Sequence, residues 1–301
     1  MRILRSGAPD AYRTLGEVLR MKLAVICDEI SMDFEHALDV MGEYGVKSVE
    51  LRSLWGSNIG DLTDEQAERV RAAVQARGMS VCCLASPFFK CDLEGDEGGA
   101  TGRVHQATER GLAGQMELLD RLIRFAKFFE TDLIRVFAFW RHGDMTEDIE
   151  RRIVEAFAEP AAIAEKAGVI LALENEHACY LGGGVETARV LDAIDSPAVR
   201  GLWDPGNAFC TGYEVPFPDG YEAMKPRLVH VHVKDPVLRD GRYGFVRMGE
   251  GDIDYMAQFR ALKADGYSGY ISLETHYKPD NDSEKGSRQC LESLNRMLSE
   301  L

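Results

Sequence analysis

Four segments of this chain end an apolar run with a residue that could bind a metal ion or move a proton. They read LALENEH around Glu174, GLWDPGN around Asp204, VHVHVKD around His232 and YISLETH around Glu274. Taken alone, each residue has an ordinary structural explanation, such as a turn for Asp204 or a salt bridge for Glu274. Together, three carboxylates and one imidazole form a hard, oxygen-rich ligand set. Such a set suits Mn²⁺ or Mg²⁺, with Co²⁺ and Zn²⁺ as alternatives.

The segment around His232 carries the most information, because strand side chains alternate between two faces. This alternation predicts that His230, His232 and Lys234 face the inside of a barrel, whereas Val229 and the valines that follow it face the helices. Polar groups inside a barrel are costly unless they are paired or bind a ligand. Hydrogen-bonded core histidines are the alternative explanation for this pattern.

The elements that would position these residues alternate regularly along the chain. Eight strand-length apolar runs are each followed by a helical pattern, and the predicted strands are Leu23–Cys27, Ser48–Leu51, Ser80–Ala85, Leu133–Phe137, Val169–Leu173, Arg200–Trp203, Leu228–Val233 and Tyr270–Leu273. This order predicts parallel strands with helical crossovers, and a single α/β domain in the form of a closed (β/α)₈ TIM barrel. A doubly wound sheet is the alternative, but its usual glycine-rich turn is missing after the first strand, where CDEISMD stands.

In such a barrel the carboxyl ends of the strands carry the chemistry. Neighbouring strands lie about 5 Å apart, so the ends of strands five to eight could converge on one ion. The barrel would occupy residues 21–301, and residues 1–20 would be an N-terminal extension unless Met21 is the native start. Helix starts are predicted at the capping residues Asp33, Thr63 and Thr146, and helix ends at Gly78 and Gly168.

Composition excludes several classes of function. The 301 residues include 35 basic and 50 acidic side chains, which gives a net charge of −15. This charge disfavours nucleic acid and anionic membranes as partners. The seven cysteines form no CxxC pair, and neither a transmembrane segment nor a secretory signal is recognisable. We therefore expect a soluble, cytoplasmic protein with reduced thiols and a small-molecule substrate.

The four motifs, in this order and spacing, resemble the sugar phosphate isomerase/epimerase superfamily, the xylose-isomerase-like TIM barrels. The resemblance covers roughly residues 22–300. It implies that Glu174, Asp204, His232 and Glu274 are the ligands of one divalent metal. It also implies that Glu174 and Glu274 act as an acid/base pair on opposite faces of a substrate. Members of this superfamily include ketose 3-epimerases, hydroxypyruvate isomerase, inosose dehydratase and dehydroshikimate dehydratase.

Two positions depart from the ketose 3-epimerase pattern. Tyr180 stands where those enzymes have a second glutamate, and Asn207 stands where they have a histidine. A free-sugar 3-epimerase is therefore disfavoured. Endonuclease IV, a distant relative, needs more histidines for its three zinc ions than this chain offers, so DNA repair is also disfavoured.

The chemistry that the site implies is proton transfer next to a carbonyl. A metal that chelates the carbonyl and an adjacent hydroxyl stabilises the enediolate, and a carboxylate within reach removes the proton. Returning the proton gives an isomerase or epimerase of a sugar, sugar phosphate or ketoacid, which is the main hypothesis. Protonating a departing hydroxyl instead gives a dehydratase, which is the alternative. A sugar-binding barrel without catalysis is a lesser alternative.

Several further residues are candidates for substrate binding, because they follow predicted strands or surround the metal ligands: Arg52, Lys90, Trp140, Arg141, His177, Asn207, His230, Lys234 and Arg247. The cations among them suggest an anionic or polyhydroxy carbonyl substrate. Neither Gly182–Gly184 nor Gly249–Gly251 makes a convincing phosphate site. A homodimer is a further expectation, for which the sequence offers no interface.

Overall fold

Eight parallel strands close into a barrel in the computed structural model, which describes residues 21–93 and 104–301. The barrel strands are β1 (Lys22–Ile26), β2 (Ser48–Leu51), β3 (Ser80–Phe88), β4 (Leu133–Val136), β5 (Ile170–Glu174), β6 (Val199–Trp203), β7 (Leu228–Val233) and β8 (Tyr270–Leu273). Each strand pairs with its successor, and β8 closes the barrel on β1 through the pairs Lys22↔Tyr270 and Leu23↔Ile271. The predicted TIM barrel is confirmed, and a doubly wound sheet is excluded.

Helices follow the strands and cover the outside of the barrel. They are α1 (Phe34–Glu43), α2 (Asp64–Ala76), α3 (Leu112–Phe128), α4 (Glu147–Ala167), α5 (Gly184–Ile194), α6 (Pro205–Thr211), α7 (Tyr221–Met224), α8 (Tyr255–Ala264) and α9 (Ser283–Ser299). The predicted caps are confirmed, because the side chains of Asp33, Thr63 and Thr146 each accept a bond from the first turn of their helix. Gly78 and Gly168 adopt φ of 59° and 64°, as expected past a helix end.

The barrel interior has a small apolar layer at its amino-terminal end. Ala24, Cys82, Cys83 and Leu133 form this layer, and Val229 packs against it. The prediction that Val229 faces the helices is therefore wrong. The cause is an irregularity in pairing, since Gly201 of β6 pairs with Leu228 whereas the next residue, Leu202, pairs with His230. The extra residue leaves both Val229 and His230 inside the barrel.

An antiparallel hairpin after β7, made of Asp235–Arg239 and Arg242–Val246, was not predicted. It extends the chain beyond the barrel mouth, and the buried carboxylate of Asp235 ties down the loop that follows it. Asp235 Oδ2 accepts the backbone N–H groups of Gly249 and Gly251 at 2.7 and 3.0 Å. Burial raises the pKa of Asp235 to about 6, against the effect of these two donors.

Two global features bear on the predicted location of the protein. Within residues 21–93 and 104–301, no helix combines the length and apolar character that crossing a membrane requires. None of the seven cysteines, all of which lie among the described residues, forms a disulfide bond. The proposed extension at 1–20 lies outside the described residues, and cytoplasmic location and dimerisation stay predictions.

Replacing Gly251 by alanine should destabilise the fold, because a Cβ there would lie 2.0 Å from Asp235 Oδ1. We expect a loss of about 1–3 kcal/mol in the free energy of unfolding, measured in urea. Gly244→Ala in the preceding hairpin is the control, since its Cβ would meet only Val237 at 3.8 Å. Equal stability of the two variants would contradict the close packing of Gly251 on Asp235.

Candidate metal centre

The four predicted ligands meet at the carboxyl end of the barrel. Glu174 is the last residue of β5, Asp204 follows β6, His232 lies near the end of β7 and Glu274 follows β8. All four are buried, and one ligand atom of each lies within 4.8 Å of those of the other three. The register of the barrel thus brings together side chains that are separated by up to 100 residues in the chain.

The donor atoms at this cluster suit a hard divalent cation. Glu174 Oε2 and Asp204 Oδ2 are buried and accept no hydrogen bond from the described residues. Glu174 Oε2 lies 3.4 Å from Arg135, and Asp204 Oδ2 lies 2.8 Å from Lys234. Both are ionic contacts without hydrogen-bond geometry. Burying carboxylate oxygens without hydrogen bonds costs free energy unless a bound cation compensates their charge. The residues present therefore fit one ion of the Mn²⁺ or Mg²⁺ type, or zinc.

His232 stands between two groups of carboxylates. Its Nδ1 lies 3.2 Å from Glu174 Oε1 and 3.9 Å from Glu274 Oε2, on the side of the other ligands. Its Nε2 lies 3.1 Å from both oxygens of Glu50, deeper in the barrel. Burial acts to lower the pKa of His232, but Glu50 and Glu174 outweigh it and raise the pKa to about 10.

Two buried cations hold the carboxylate of Glu274. Lys234 Nζ lies 2.7 Å from Glu274 Oε2 and also contacts Asp204. Arg52 contacts Glu274 Oε1, both oxygens of Asp28 and one oxygen of Glu29. Burial acts to raise the pKa of Glu274, but Lys234, His276 and Arg52 lower it well below its usual range. Glu274 is therefore held as a carboxylate.

The loops at this end fix Asp204 and Glu174 through buried amides. Asn175 accepts the backbone N–H of Asp204 at 2.8 Å and donates to its carbonyl at 2.8 Å. Asp204 Oδ1 caps α6 by accepting the N–H of Asn207, whose side chain lies 3.3 Å from Glu174 Oε1. Arg135 of β4 donates to the carbonyls of residues 85 and 86, and its guanidinium lies 3.4 Å from Glu174 on the neighbouring strand β5.

A second cluster of ligand-type residues, formed by Glu29, Glu274 and His276, adjoins the first. Arg52 already contacts both of its glutamates, so another metal ion there would have to displace a buried guanidinium. The position of Arg52 therefore argues against a metal ion at this second cluster. His276 itself has a φ of 50°, and Phe89 and Phe139 past the ends of β3 and β4 have 60° and 61°. Such backbone strain in bulky residues is typical of functional sites.

Of the predicted substrate-binding residues, Lys90, Trp140 and His177 lie on one side of the mouth. Lys90 Nζ lies 3.2 Å from Glu176 and 4.3 Å from the centre of the Phe137 ring, with the Trp140 ring at 5.4 Å. His177 pairs with Glu176 at 2.9 Å and with Asn207 at 3.2 Å. The hydrogen bond to Glu176 raises the pKa of His177, against the effect of burial. These residues could form the wall of a substrate pocket.

Three other predicted substrate residues have different surroundings. Arg141 donates to the carbonyls of residues 179 and 180 and pairs with Glu186. His230 lies below the metal ligands, with Nε2 2.9 Å from Glu50. Arg247 contacts α9 through Ser293 and Glu292. Among the described residues, none of their hydrogen bonds or ion pairs is to the four metal ligands.

Sequence reasoning passed over Glu50, Arg135, Glu176 and His105 as site residues. Glu50 and Arg135 lie in the middle of apolar strand motifs, SVEL and LIRV, and a charge at an inward position was the available signal. His105 lies in a loop whose sequence carries no motif. Burial and the nearby cations Arg52 and Lys90 lower the pKa of His105 well below its usual range, which places this side chain near the mouth.

The glycine runs bind carboxylates of the chain itself. The N–H groups of Gly182 and Gly183 donate to Glu186, and those of Gly184 and Val185 donate to Glu214. In the second glycine run, the N–H groups of Gly249 and Gly251 donate to Asp235. The expectation that neither run binds phosphate agrees with these contacts, because internal anions already take the amides.

Removing Arg52 should be strongly destabilising, since three buried carboxylates would lose their common cation. We expect Arg52→Met to lower the free energy of unfolding by about 3–5 kcal/mol in urea titrations. The control is Arg151→Met, whose pairs with Asp148 and Glu155 are exposed, so that its loss should leave the stability almost unchanged. Similar losses in the two variants would contradict the role of Arg52 as a buried counter-ion.

Metal binding near neutral pH should release protons. His232, with a pKa of about 10, is protonated there, and it must be neutral to bind a metal. We expect about one proton per Mn²⁺ ion, measured by titration calorimetry in buffers with different heats of ionisation, and tighter binding as the pH rises. A binding heat that does not depend on the buffer would contradict the release of a proton from His232 on metal binding.

The chain is similar in sequence to proteins of a known barrel family. The chain matches the xylose isomerase-like TIM barrel family over residues 38–297. An inosose dehydratase of Clostridium perfringens (strain 13 / Type A) is 22% identical over 263 residues, which cover 79% of this chain and 83% of the relative.

Two solved structures share the fold at low sequence identity. The IOLI protein with a bound zinc atom has a TM-score of 0.71 and 18% identity, covering 93% of this chain and 99% of that one. A D-allulose 3-epimerase of Methylomonas sp. in complex with D-allulose has a TM-score of 0.67 and 17% identity, covering 92% and 97%. Since the family match spans nearly the whole barrel, the chain belongs to the xylose isomerase-like TIM barrel family.

Proposed function

We propose that this protein is a divalent-metal-dependent isomerase or epimerase of a polyhydroxy ketone without a phosphate group. The observation that carries this proposal is the buried cluster of Glu174, Asp204, His232 and Glu274 at the barrel mouth. A cation held there supplies electrophilic polarisation of a substrate carbonyl, which makes the neighbouring C–H acidic. The IOLI protein, which shares this fold, was solved with a bound zinc atom, and this supports a metal ion in the present protein.

The protein's own groups would move the proton. Glu174 and Glu274 are proposed as the acid/base pair, with Asp204 and His232 mainly as ligands. Arg52 and Lys234 keep Glu274 ionised, the form in which a carboxylate accepts a proton. Arg135 and Asn207 contact the two oxygens of Glu174, so its orientation is fixed before substrate binds.

Charge balance supports a neutral substrate. Seven carboxylates at and below the mouth, Asp28, Glu29, Glu50, Glu174, Glu176, Asp204 and Glu274, face four permanent cations, Arg52, Lys90, Arg135 and Lys234. Every one of these cations is already paired with a carboxylate. A divalent metal would bring the group close to neutrality and leave no surplus positive charge for a phosphate or carboxylate of the substrate. Of the cations predicted to bind an anionic substrate, Arg52, Lys90 and Lys234 are thus better explained as counter-ions of these carboxylates.

The glycine loops support the same conclusion about phosphate. Barrels often bind phosphate at loops of this end and at a helix amino terminus. Here Glu186 and Glu214 accept the N–H groups at the start of α5, and Asp235 accepts those of Gly249 and Gly251. A phosphate would have to displace a carboxylate at each place.

Dehydration is the second candidate function, and two observations favour it. The inosose dehydratase of Clostridium perfringens aligns with most of this chain. In addition, the ammonium group of Lys234 lies 2.7 Å from Glu274, where it could stabilise negative charge on a departing hydroxyl by hydrogen bonding. The first step, removal of a proton next to a carbonyl, is the same in both reactions, so the fate of the substrate decides between them.

The test is incubation of the Mn²⁺-loaded protein with ketoses and inososes in deuterated water, followed by mass spectrometry of the products. Isomerisation or epimerisation gains deuterium at carbon, whereas dehydration loses one water. Glu174→Gln and Glu274→Gln should each reduce exchange by about 10²–10⁴-fold. Glu155→Gln on the exposed face of α4 is the control and should match the wild type.

Three results would contradict the assignment. Full activity of Glu274→Gln would remove Glu274 from the acid/base pair. Turnover of sugar phosphates alone would contradict a neutral substrate. Tight sugar binding without any exchange or water loss would indicate a binding barrel instead of an enzyme.

A further inference from the structure

We infer that Glu50 is a positioning residue that fixes which nitrogen of His232 faces the metal. This inference rests on the metal site of the proposed function and adds a residue below it. Glu50 belongs to β2, on the opposite side of the barrel from β5 and β6, and its carboxylate is completely buried. It is not among the four ligands that converge at the mouth.

The carboxylate of Glu50 reaches His232 from below. Both of its oxygens lie 3.1 Å from His232 Nε2. The other nitrogen, Nδ1, points to Glu174 at 3.2 Å and Glu274 at 3.9 Å. A neutral imidazole has one N–H group, and a carboxylate that accepts it keeps the proton on that nitrogen. Glu50 thereby leaves the lone pair of Nδ1 for the cation.

Glu50 is itself held in place by two further donors. His230 Nε2 lies 2.9 Å from Glu50 Oε2, and Ser272 Oγ donates to the same oxygen at 2.7 Å. The His230 ring meets the His232 ring edge to face, with centroids 5.3 Å apart. These contacts explain why two histidines stand at alternate positions of β7, since one is placed to bind the metal and the other to hold the carboxylate behind it.

This arrangement has a known physical effect. A carboxylate behind a metal-binding histidine fixes the tautomer and the ring orientation and makes the imidazole a stronger ligand. Loss of such a partner costs about 10–100-fold in metal affinity. A glutamine at position 50 would present an N–H₂ group to one of the surrounding nitrogens. An amide that donates to His232 Nε2 moves the ring proton to Nδ1, where it blocks the cation.

The first experiment measures Mn²⁺ affinity by calorimetry or by the EPR signal of free Mn²⁺. We expect Glu50→Gln to bind Mn²⁺ about 10–100-fold more weakly than the wild type. Ser272→Ala removes a bond to the same carboxylate but leaves both contacts with His232, so its affinity should change by about threefold or less. Glu50→Gln with wild-type affinity would overturn the inference. Failure of the wild type to bind Mn²⁺ would instead contradict the proposed metal-dependent function.

The second experiment needs no variant at Glu50 and therefore does not depend on the folding of one. The Zn²⁺-loaded wild type is labelled with ¹⁵N-histidine, and His230→Gln serves to assign the His230 signals. We expect His232 to show a protonated Nε2 and a zinc-shifted Nδ1. A zinc-shifted Nε2, or a proton on Nδ1, would overturn the assignment, because Glu50 would then not select the ligand nitrogen.

Discussion

Mutual repulsion between buried carboxylates is the constraint on which this structure depends. The barrel brings Glu174, Asp204 and Glu274 together at one end, where little water can screen them. Three such groups would raise one another's pKa and destabilise the fold unless cations compensate them. Arg52, Arg135 and Lys234 supply fixed positive charge from three other strand positions, and a divalent metal would supply the rest. The guanidinium of Arg52 lies against both Glu29 and Glu274, so a metal ion between these two glutamates would have to displace it.

The closed barrel places the compensating cations close to the buried carboxylates. Strands β5 to β8 carry the predicted ligands. Glu50 of β2 and Arg52, which follows β2, reach them from another part of the barrel, and Arg135 reaches Glu174 from the neighbouring strand β4. Each ligand is therefore held from behind by a residue of another strand. His232 illustrates the design, since one nitrogen faces the ligands and the other faces Glu50. A side chain held in this way loses little freedom when it binds a metal or a substrate, which favours rigid and selective chemistry.

The sequence predicts much of this fold, because strand length, helix caps and the order of motifs are local signals. The convergence of Glu174, Asp204, His232 and Glu274 was predictable as well, since each ends an apolar run. Glu50 and Arg135 were missed. An inward charge within an apolar strand is a signal of a buried polar contact, but the strand alone does not show which residue the charge contacts. The position of Val229 was predicted wrongly for a similar reason, since the pairing irregularity depends on the neighbouring strand. Arg247 illustrates the converse, as its place in the chain suggested the mouth but its contacts are with α9.

The most direct measurement is the metal content of protein purified without chelator, by mass spectrometry, for the wild type and for the double variant Glu174→Gln with His232→Ala. If the four side chains hold one ion, the wild type contains close to one equivalent of manganese, magnesium, zinc or a similar metal, and the double variant contains almost none. If the wild type contains no metal, even after addition of Mn²⁺, the cluster is a network of ion pairs alone. The proposed proton-transfer chemistry would then lose its foundation.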